Sequence, residues 1–220
     1  MIVSGPTQCG KTSFVLRLID NLESAVEPLI RKILYCYNEY QPDKFDTYRS
    51  RVQFYKGLPS LQMFDGREPT LVIIDDLMGE TNSDVSELFT RVSHHRDLSV
   101  VFLTQNLFAK NPHFRTISLN AHYIVLYKNP RDAGQFEVLA RQMYGSRNHK
   151  FALESFADAT RVPHGYLFVD LKPTTEDDYR LRTGIFPDEQ TYVYVDRSLY
   201  IPDIPDWLIK RIQPFYWQTI

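Results

Sequence analysis

The sequence predicts an α/β protein with a mainly parallel central sheet flanked by helices, followed by a short irregular C-terminal extension. Three observations lead there. Short β-rich runs alternate with longer helical patterns through the first two thirds of the chain, the mark of stacked βα units. Residues 70–75 form a continuous apolar run of the kind that fills a strand buried on both faces. A glycine-bounded loop separates the first strand from the first helix.

Taken in order, Met1 to Ser4 reads as a first strand of only about three residues before the loop, where ~5 to 6 is usual. Lys11 to Ala25 reads as a helix with Phe14, Leu18 and Leu22 on one stripe. Lys32 to Asn38 and Val52 to Lys56 read as strands, and Thr70 to Asp75 as the central one. Ser83 to His95 follows as a helix, with Ser83 available as its cap and Val85, Leu88, Phe89 and Val92 at helical spacing. Ser99 to Thr104, Tyr123 to Tyr127 and Tyr166 to Leu171 complete the strands, with a helix expected over Arg131 to Tyr144. Residues 1–187 are expected to form one domain. Residues 188–220, broken by Pro202, Pro205 and Pro214, are expected to pack on it or on a neighbouring subunit.

Composition sets the outer limits. The chain has 220 residues, 43% hydrophobic and 24% charged, enough to bury a core of domain size and too apolar for a disordered chain. Its longest apolar stretches fall short of the ~18 to 20 residues of a membrane span, so no membrane association is expected. The first residues lack a signal-peptide pattern, and Cys9 and Cys36 cannot make a disulfide framework. An intracellular setting is therefore expected. The formal charge is −2, but it is unevenly spread: residues 91–150 hold 9 Lys/Arg against 3 Asp/Glu, a local +6. Five of the six histidines also fall there, including the adjacent His94 and His95. An anionic partner is expected to meet this segment, unless its charges simply solvate helix faces.

Gly5-Pro6-Thr7-Gln8-Cys9-Gly10-Lys11-Thr12 fits the P-loop pattern G-x-x-x-x-G-K-[ST] at every position and lies between a strand and a helix, as the mechanism requires. Such a loop wraps nucleotide phosphates with backbone N–H groups, and the helix N-terminus adds its dipole. Lys11 reaches the terminal phosphates, Thr12 is a Mg²⁺ ligand, and Ser13 closes the binding segment. ATP and Mg²⁺ are the implied ligands. Cys9, at a variable position, is a bystander rather than a nucleophile.

Leu71-Val-Ile-Ile-Asp75-Asp76 ends a hydrophobic strand in two carboxylates. Asp75 is the expected partner of the metal. Asp76 is placed to deprotonate the attacking water, or else serves as a cap or ion-pair partner. Ser99 to Gln105 ends the next strand in an amide, so Gln105 is a candidate γ-phosphate sensor or water-positioning group, the alternative being a surface amide. Two candidate strands, Lys32 to Asn38 and Val52 to Lys56, lie between the two nucleotide motifs. The expectation is that this insertion puts an extra strand between the two nucleotide strands, as in the additional-strand, RecA-like class of P-loop NTPases.

With these motifs the chain resembles the FtsK/HerA superfamily of DNA-translocating ATPases. Within it the likeness is to the genome-packaging ATPases of large eukaryotic DNA viruses, poxvirus-like viruses, virophages and Polinton transposons. It extends over roughly residues 1–187 and rests on the P-loop, on Ile73-Ile-Asp-Asp-Leu-Met78, on Ser93-His-His-Arg96 and on Phe102-Leu-Thr-Gln-Asn-Leu-Phe108. Arg115-Thr-Ile-Ser-Leu-Asn120 and Lys128-Asn-Pro-Arg-Asp132 complete it. The resemblance implies a homo-oligomeric ring that hydrolyses ATP at subunit interfaces and threads double-stranded DNA into a capsid. Capsid proteins are then partners, and the setting is the host cytoplasm or nucleus, or the virion. Asp76 stands where many members carry Glu, one methylene longer.

A motor of this kind needs an arginine at the γ-phosphate. Arg131 and Arg96 are the first candidates and Arg115 the third, each with a surface salt bridge as the alternative. His94-His95 make no metal pair, because neighbours on a helix point about 100° apart. The aromatic run Tyr192 to Tyr200 is read as an edge strand rather than a base-stacking platform. Two other functions compete with the motor: a nucleotide or nucleoside kinase, and a catalytically degenerate nucleotide-binding structural subunit.

Overall fold

The structure is a computed structural model and describes residues 1–27, 29–77, 83–92, 97–108, 112–132, 134–196 and 217–218. It is α/β and divides into two compact units. One comprises Met1–Ser4, Lys11–Ala121 and Tyr216–Ile220, the other Gly5–Gly10 and His122–Phe215.

The first unit contains β1 (Ile2–Ser4), α1 (Lys11–Asp20), α2 (Leu22–Ala25), β2 (Val26–Glu27), β3 (Lys32–Tyr37), α3 (Pro42–Phe45), β4 (Gln53–Lys56) and β5 (Thr70–Asp75). After these come α4 (Ser83–Glu87), a π-helical turn Leu88–Val92, β6 (Leu98–Thr104) and α5 (Pro112–Leu119). Five strands pair wholly in parallel in the order β1-β6-β5-β3-β4. β5 sits between β3 and β6, and its first five residues are buried, which is why the run is apolar without alternation. The strand between β1 and β5 is therefore β6. That corrects the expectation drawn from the insertion: β3 and β4 lie on the far side of β5.

Asn21 ends the first helix earlier than its apolar stripe suggests. Its backbone N–H and its side-chain Nδ2 both donate to the Arg17 carbonyl, at 3.2 and 2.8 Å. That carbonyl is then satisfied at a residue with φ −110° and ψ 15°, and the chain restarts as α2. Phe14, Val15, Leu18 and Ile19 form the buried face of α1.

The second unit contains β7 (Tyr123–Tyr127), α6 (Gly134–Ala159), β8 (Tyr166–Asp170), β9 (Leu181–Thr183) and β10 (Tyr192–Tyr194). These strands pair antiparallel in the order β7-β8-β9-β10, so the parallel pairing that was expected is that of the first unit's five strands. The reason for the antiparallel pairing lies in α6. Gly145, at φ 71° and ψ 177°, breaks it into two helical pieces, and the Phe136 and Phe156 ring centroids lie 4.6 Å apart. In one straight helix, residues so separated would stand ~30 Å apart at 1.5 Å per residue. The two pieces thus form a hairpin. One helix after a strand carries the chain back to the starting edge and yields a parallel neighbour; a two-helix hairpin returns it to the edge it left, so β8 runs against β7. The helix expected over Arg131 to Tyr144 is the first arm of this hairpin, starting at Gly134 and ending at the Gly145 break; the second arm, over 146–159, was not expected.

Asp170 and Arg182 pair inside this unit at 3.0 Å, their side chains 1% and 5% exposed. Lys172 Nζ lies 5.3 Å from the Tyr123 ring centroid. Tyr192 and Tyr194 belong to β10, so that part of the aromatic run is an edge strand; residues 197–200 lie outside the described ones. β11 (Trp217–Gln218) pairs in parallel with β2. Among the described residues no helix is long and apolar enough to cross a membrane.

Candidate functional site

Parallel strands deliver their C-terminal residues to one sheet edge, where α/β proteins place their chemistry. In the first unit, Ser4 is level with Thr104 and Asp75 with Leu103. Ser4, Asp75 and the Thr104–Gln105 step therefore share an edge. Lys11 and Thr12 open α1, and the Thr12 Oγ1 hydroxyl donates to Asp75 Oδ2 at 3.5 Å across 63 positions. The hydroxyl and the carboxylate expected to serve one metal are thus brought together. Both are hard oxygen donors, which suits Mg²⁺.

Asp75 is held by a residue the sequence did not single out. The Tyr35 hydroxyl, from β3, donates to Asp75 Oδ2 at 2.6 Å. The Tyr35 ring is wholly buried, with centroids 4.8 Å from Phe45 and 5.6 Å from Phe54, so its hydroxyl has little freedom. Burial pushes the Asp75 carboxyl above its ordinary range, Tyr35 pulls it back, and Asp76 and Lys11 act in opposite directions. The phenol of Tyr35 is raised by burial and then by the Asp75 charge, so it stays a donor. Tyr35→Phe keeps the ring packing and removes the orienting bond. If Asp75 serves Mg²⁺ as its place in the sequence motif implies, the expected outcome is a Mg²⁺ half-saturation about tenfold higher, with metal-free nucleotide affinity unchanged. Magnesium titration of ATP binding checks it.

Asp76 is exposed and sits at φ 55°, in the left-handed region at the end of β5. Asp tolerates that region better than most residues, though at a cost, and such positions cluster at functional sites. Gln105 Nε2 donates to Asp76 Oδ1 at 3.3 Å, so the candidate base and the candidate γ-phosphate sensor or water-positioning amide are in contact. No protein-family model and no curated protein matches the chain.

In the second unit, the Gly5–Gly10 loop depends on its glycines. A Cβ on Gly5 would stand 2.7 Å from both Cys9 Sγ and Tyr127 Cβ, and Gly10 has φ +114°. Gln8 also has positive φ, at 65°, and alternation of hand along a loop turns successive N–H groups to one side. Thr7 and Gln8 are exposed, while Pro6, Cys9 and Gly10 are half-buried. In the first unit, Lys11 and Thr12 are half-buried and Ser13 is exposed. Cys36 is buried, its thiol pushed up to about 12 by that burial, so it is packing rather than chemistry.

Arg131 is exposed and precedes α6 instead of opening it; its backbone N–H donates to Asn129 Oδ1 at 3.1 Å. Arg115 is exposed on α5. Arg96, His94 and His95 lie outside the described residues. His149 is buried with Nδ1 2.9 Å from the Ser146 carbonyl, which removes it from any anion-binding surface. Arg115, Lys128, Arg131, Arg141 and Lys150 of the basic segment are exposed.

Proposed function

We propose that the chain is a P-loop ATPase that moves double-stranded DNA, working as a homo-oligomeric ring that packages a viral or virus-like genome into a capsid. The observation that carries the ATPase part is the convergence of Thr12 with Asp75, and of Gln105 with Asp76, at one edge of a parallel sheet. Motifs distant in sequence meet there as nucleotide hydrolysis requires. The DNA part rests on the family resemblance and on the exposed cations of residues 91–150.

The loop amides and Lys11 take the phosphates of ATP. Thr12 and Asp75 would hold Mg²⁺, which when bound neutralises phosphate charge. Gln105 holds the Asp76 carboxylate, and Asp76 accepts the proton of the water that attacks the γ-phosphorus as ADP leaves. Arg131, or Arg96, supplies a cation to the neighbouring subunit's nucleotide, which makes turnover depend on assembly. Capsid proteins are the partners at the ring's outlet, in an intracellular host compartment or in the virion.

Mass photometry with an ATP analogue and duplex DNA tests the assembly. A ring on DNA is expected, held by phosphate contacts and lost steeply as salt rises. A chain that remains monomeric under these conditions, or binds DNA with salt-independent affinity, contradicts the motor. Conversion of ATP to ADP that requires a small acceptor, to which the γ-phosphoryl group passes instead of to water, would mark a kinase, and nucleotide binding without turnover a structural subunit.

A further inference from the structure

The His164 side chain reaches the phosphate loop from 155 positions away: Nδ1 lies 3.0 Å from the Cys9 carbonyl oxygen. A carbonyl only accepts, so Nδ1 carries a proton and donates. The Tyr127 hydroxyl, from the last residue of β7, donates to the next carbonyl, that of Gly10, at 3.5 Å. Tyr127 also backs the start of the loop, where its Cβ leaves no room for a side chain at Gly5.

In a trans peptide the carbonyl and the following N–H point in opposite directions. Drawing the Cys9 carbonyl toward His164 therefore turns the Gly10 N–H away from it, and drawing the Gly10 carbonyl toward Tyr127 does the same for the next amide. Those are the amides a phosphate loop must present to an anion.

The backbone beneath His164 is a second, independent sign. Gly165 N–H donates to the Val162 carbonyl at 3.0 Å, closing a four-residue turn with Pro163 second and His164 third. His164 has φ 62° there, and positive φ at the third position marks the type II turn, which ordinarily takes glycine. A histidine held in a strained position with its ring on the loop calls for a role beyond the turn.

We propose that His164 and Tyr127 are positioning residues that clamp the outer face of the loop and set the direction of its phosphate-binding amides. This rests on the nucleotide-binding function proposed above. The test compares the full-length wild type, His164→Gly and His164→Asn by calorimetric titration with ATP and Mg²⁺, and by thermal unfolding without nucleotide. Glycine relaxes the turn and removes the donor. His164→Gly should unfold at the same or a higher temperature yet bind ATP about fivefold to tenfold more weakly, as for one lost hydrogen bond. Asparagine tolerates positive φ and offers Nδ2 in place of the ring Nδ1, so His164→Asn should recover affinity. Wild-type affinity in His164→Gly overturns the clamp.

A wild type that does not bind ATP overturns the nucleotide-binding function instead. Amide hydrogen exchange in the nucleotide-free protein then decides the clamp separately: faster exchange at residues 9–11 in His164→Gly is expected, and unchanged exchange overturns it.

Discussion

Lys11→Ala is expected to abolish ATP turnover and weaken ATP binding while leaving the fold intact. In the proposed ATPase the ammonium of Lys11 opposes the charge of the terminal phosphates, and that charge grows at the oxygens of the transferring group in the transition state. Alanine offers nothing in its place. The structural cost is small, because Lys11 is the half-buried first residue of α1 and alanine is the best helix former. Phosphate release in magnesium buffer, read beside the thermal unfolding curve, separates the two effects. Wild-type turnover in the variant would remove the P-loop from the mechanism.

The second large effect is a divergence between two adjacent carboxylates. Asp75→Asn is expected to lose the Mg²⁺-dependent part of nucleotide affinity, because Thr12 and Tyr35 then surround an amide where the metal needs an anionic oxygen. Asp76→Asn keeps an acceptor for Gln105 but no base for the water proton. It should bind ATP and stop before hydrolysis. Calorimetry with and without Mg²⁺, followed by single-turnover measurement, distinguishes them; equal loss of binding in both would show that Asp76 is not a dedicated base.

Stability should move the opposite way for Asp75. Burial raises its folded-state pKa above the unfolded value, so its charge is unfavourable to folding above the raised pKa. That penalty disappears as pH falls below the unfolded value. Asp75→Asn is therefore expected to melt no lower than wild type at neutral pH, the mark of a charge kept for chemistry rather than for the fold.

Local structure was legible in the sequence to the extent that contiguous residues determine it. The loop from Gly5 to Thr12, the apolar β5 and its two terminal carboxylates are readable because each is a contiguous pattern. Strand order is not, since β6 enters between β1 and β5 only through pairing across the sheet. The helix break at Asn21 was hidden because the apolar stripe runs on through Leu22; the side-chain bond to Arg17 that stops α1 leaves no trace in periodicity. Gly145 marks the end of the first helical arm, as the pattern ending at Tyr144 implies, but the second arm over 146–159 carries no clear apolar stripe to announce it, and with it the antiparallel β8 stays hidden. Tyr35 sits in the apolar run Lys32–Tyr37, where a tyrosine reads as packing. Only the pairing of Tyr35 with Ile73 across β3 and β5 places its hydroxyl near Asp75. His164 looks like any polar turn residue until the chain folds it back on Cys9. Pro163 before it and Gly165 after it were the available signals of a tight turn.

Phosphate release from ATP by the wild-type chain, measured with and without long duplex DNA and with Lys11→Ala as the background, tests the central claim most directly. A DNA-translocating ATPase hydrolyses ATP above that background and does so faster when long duplex DNA is present, whatever its sequence. Release that equals the Lys11→Ala background in both conditions, or that DNA leaves unchanged, would contradict it.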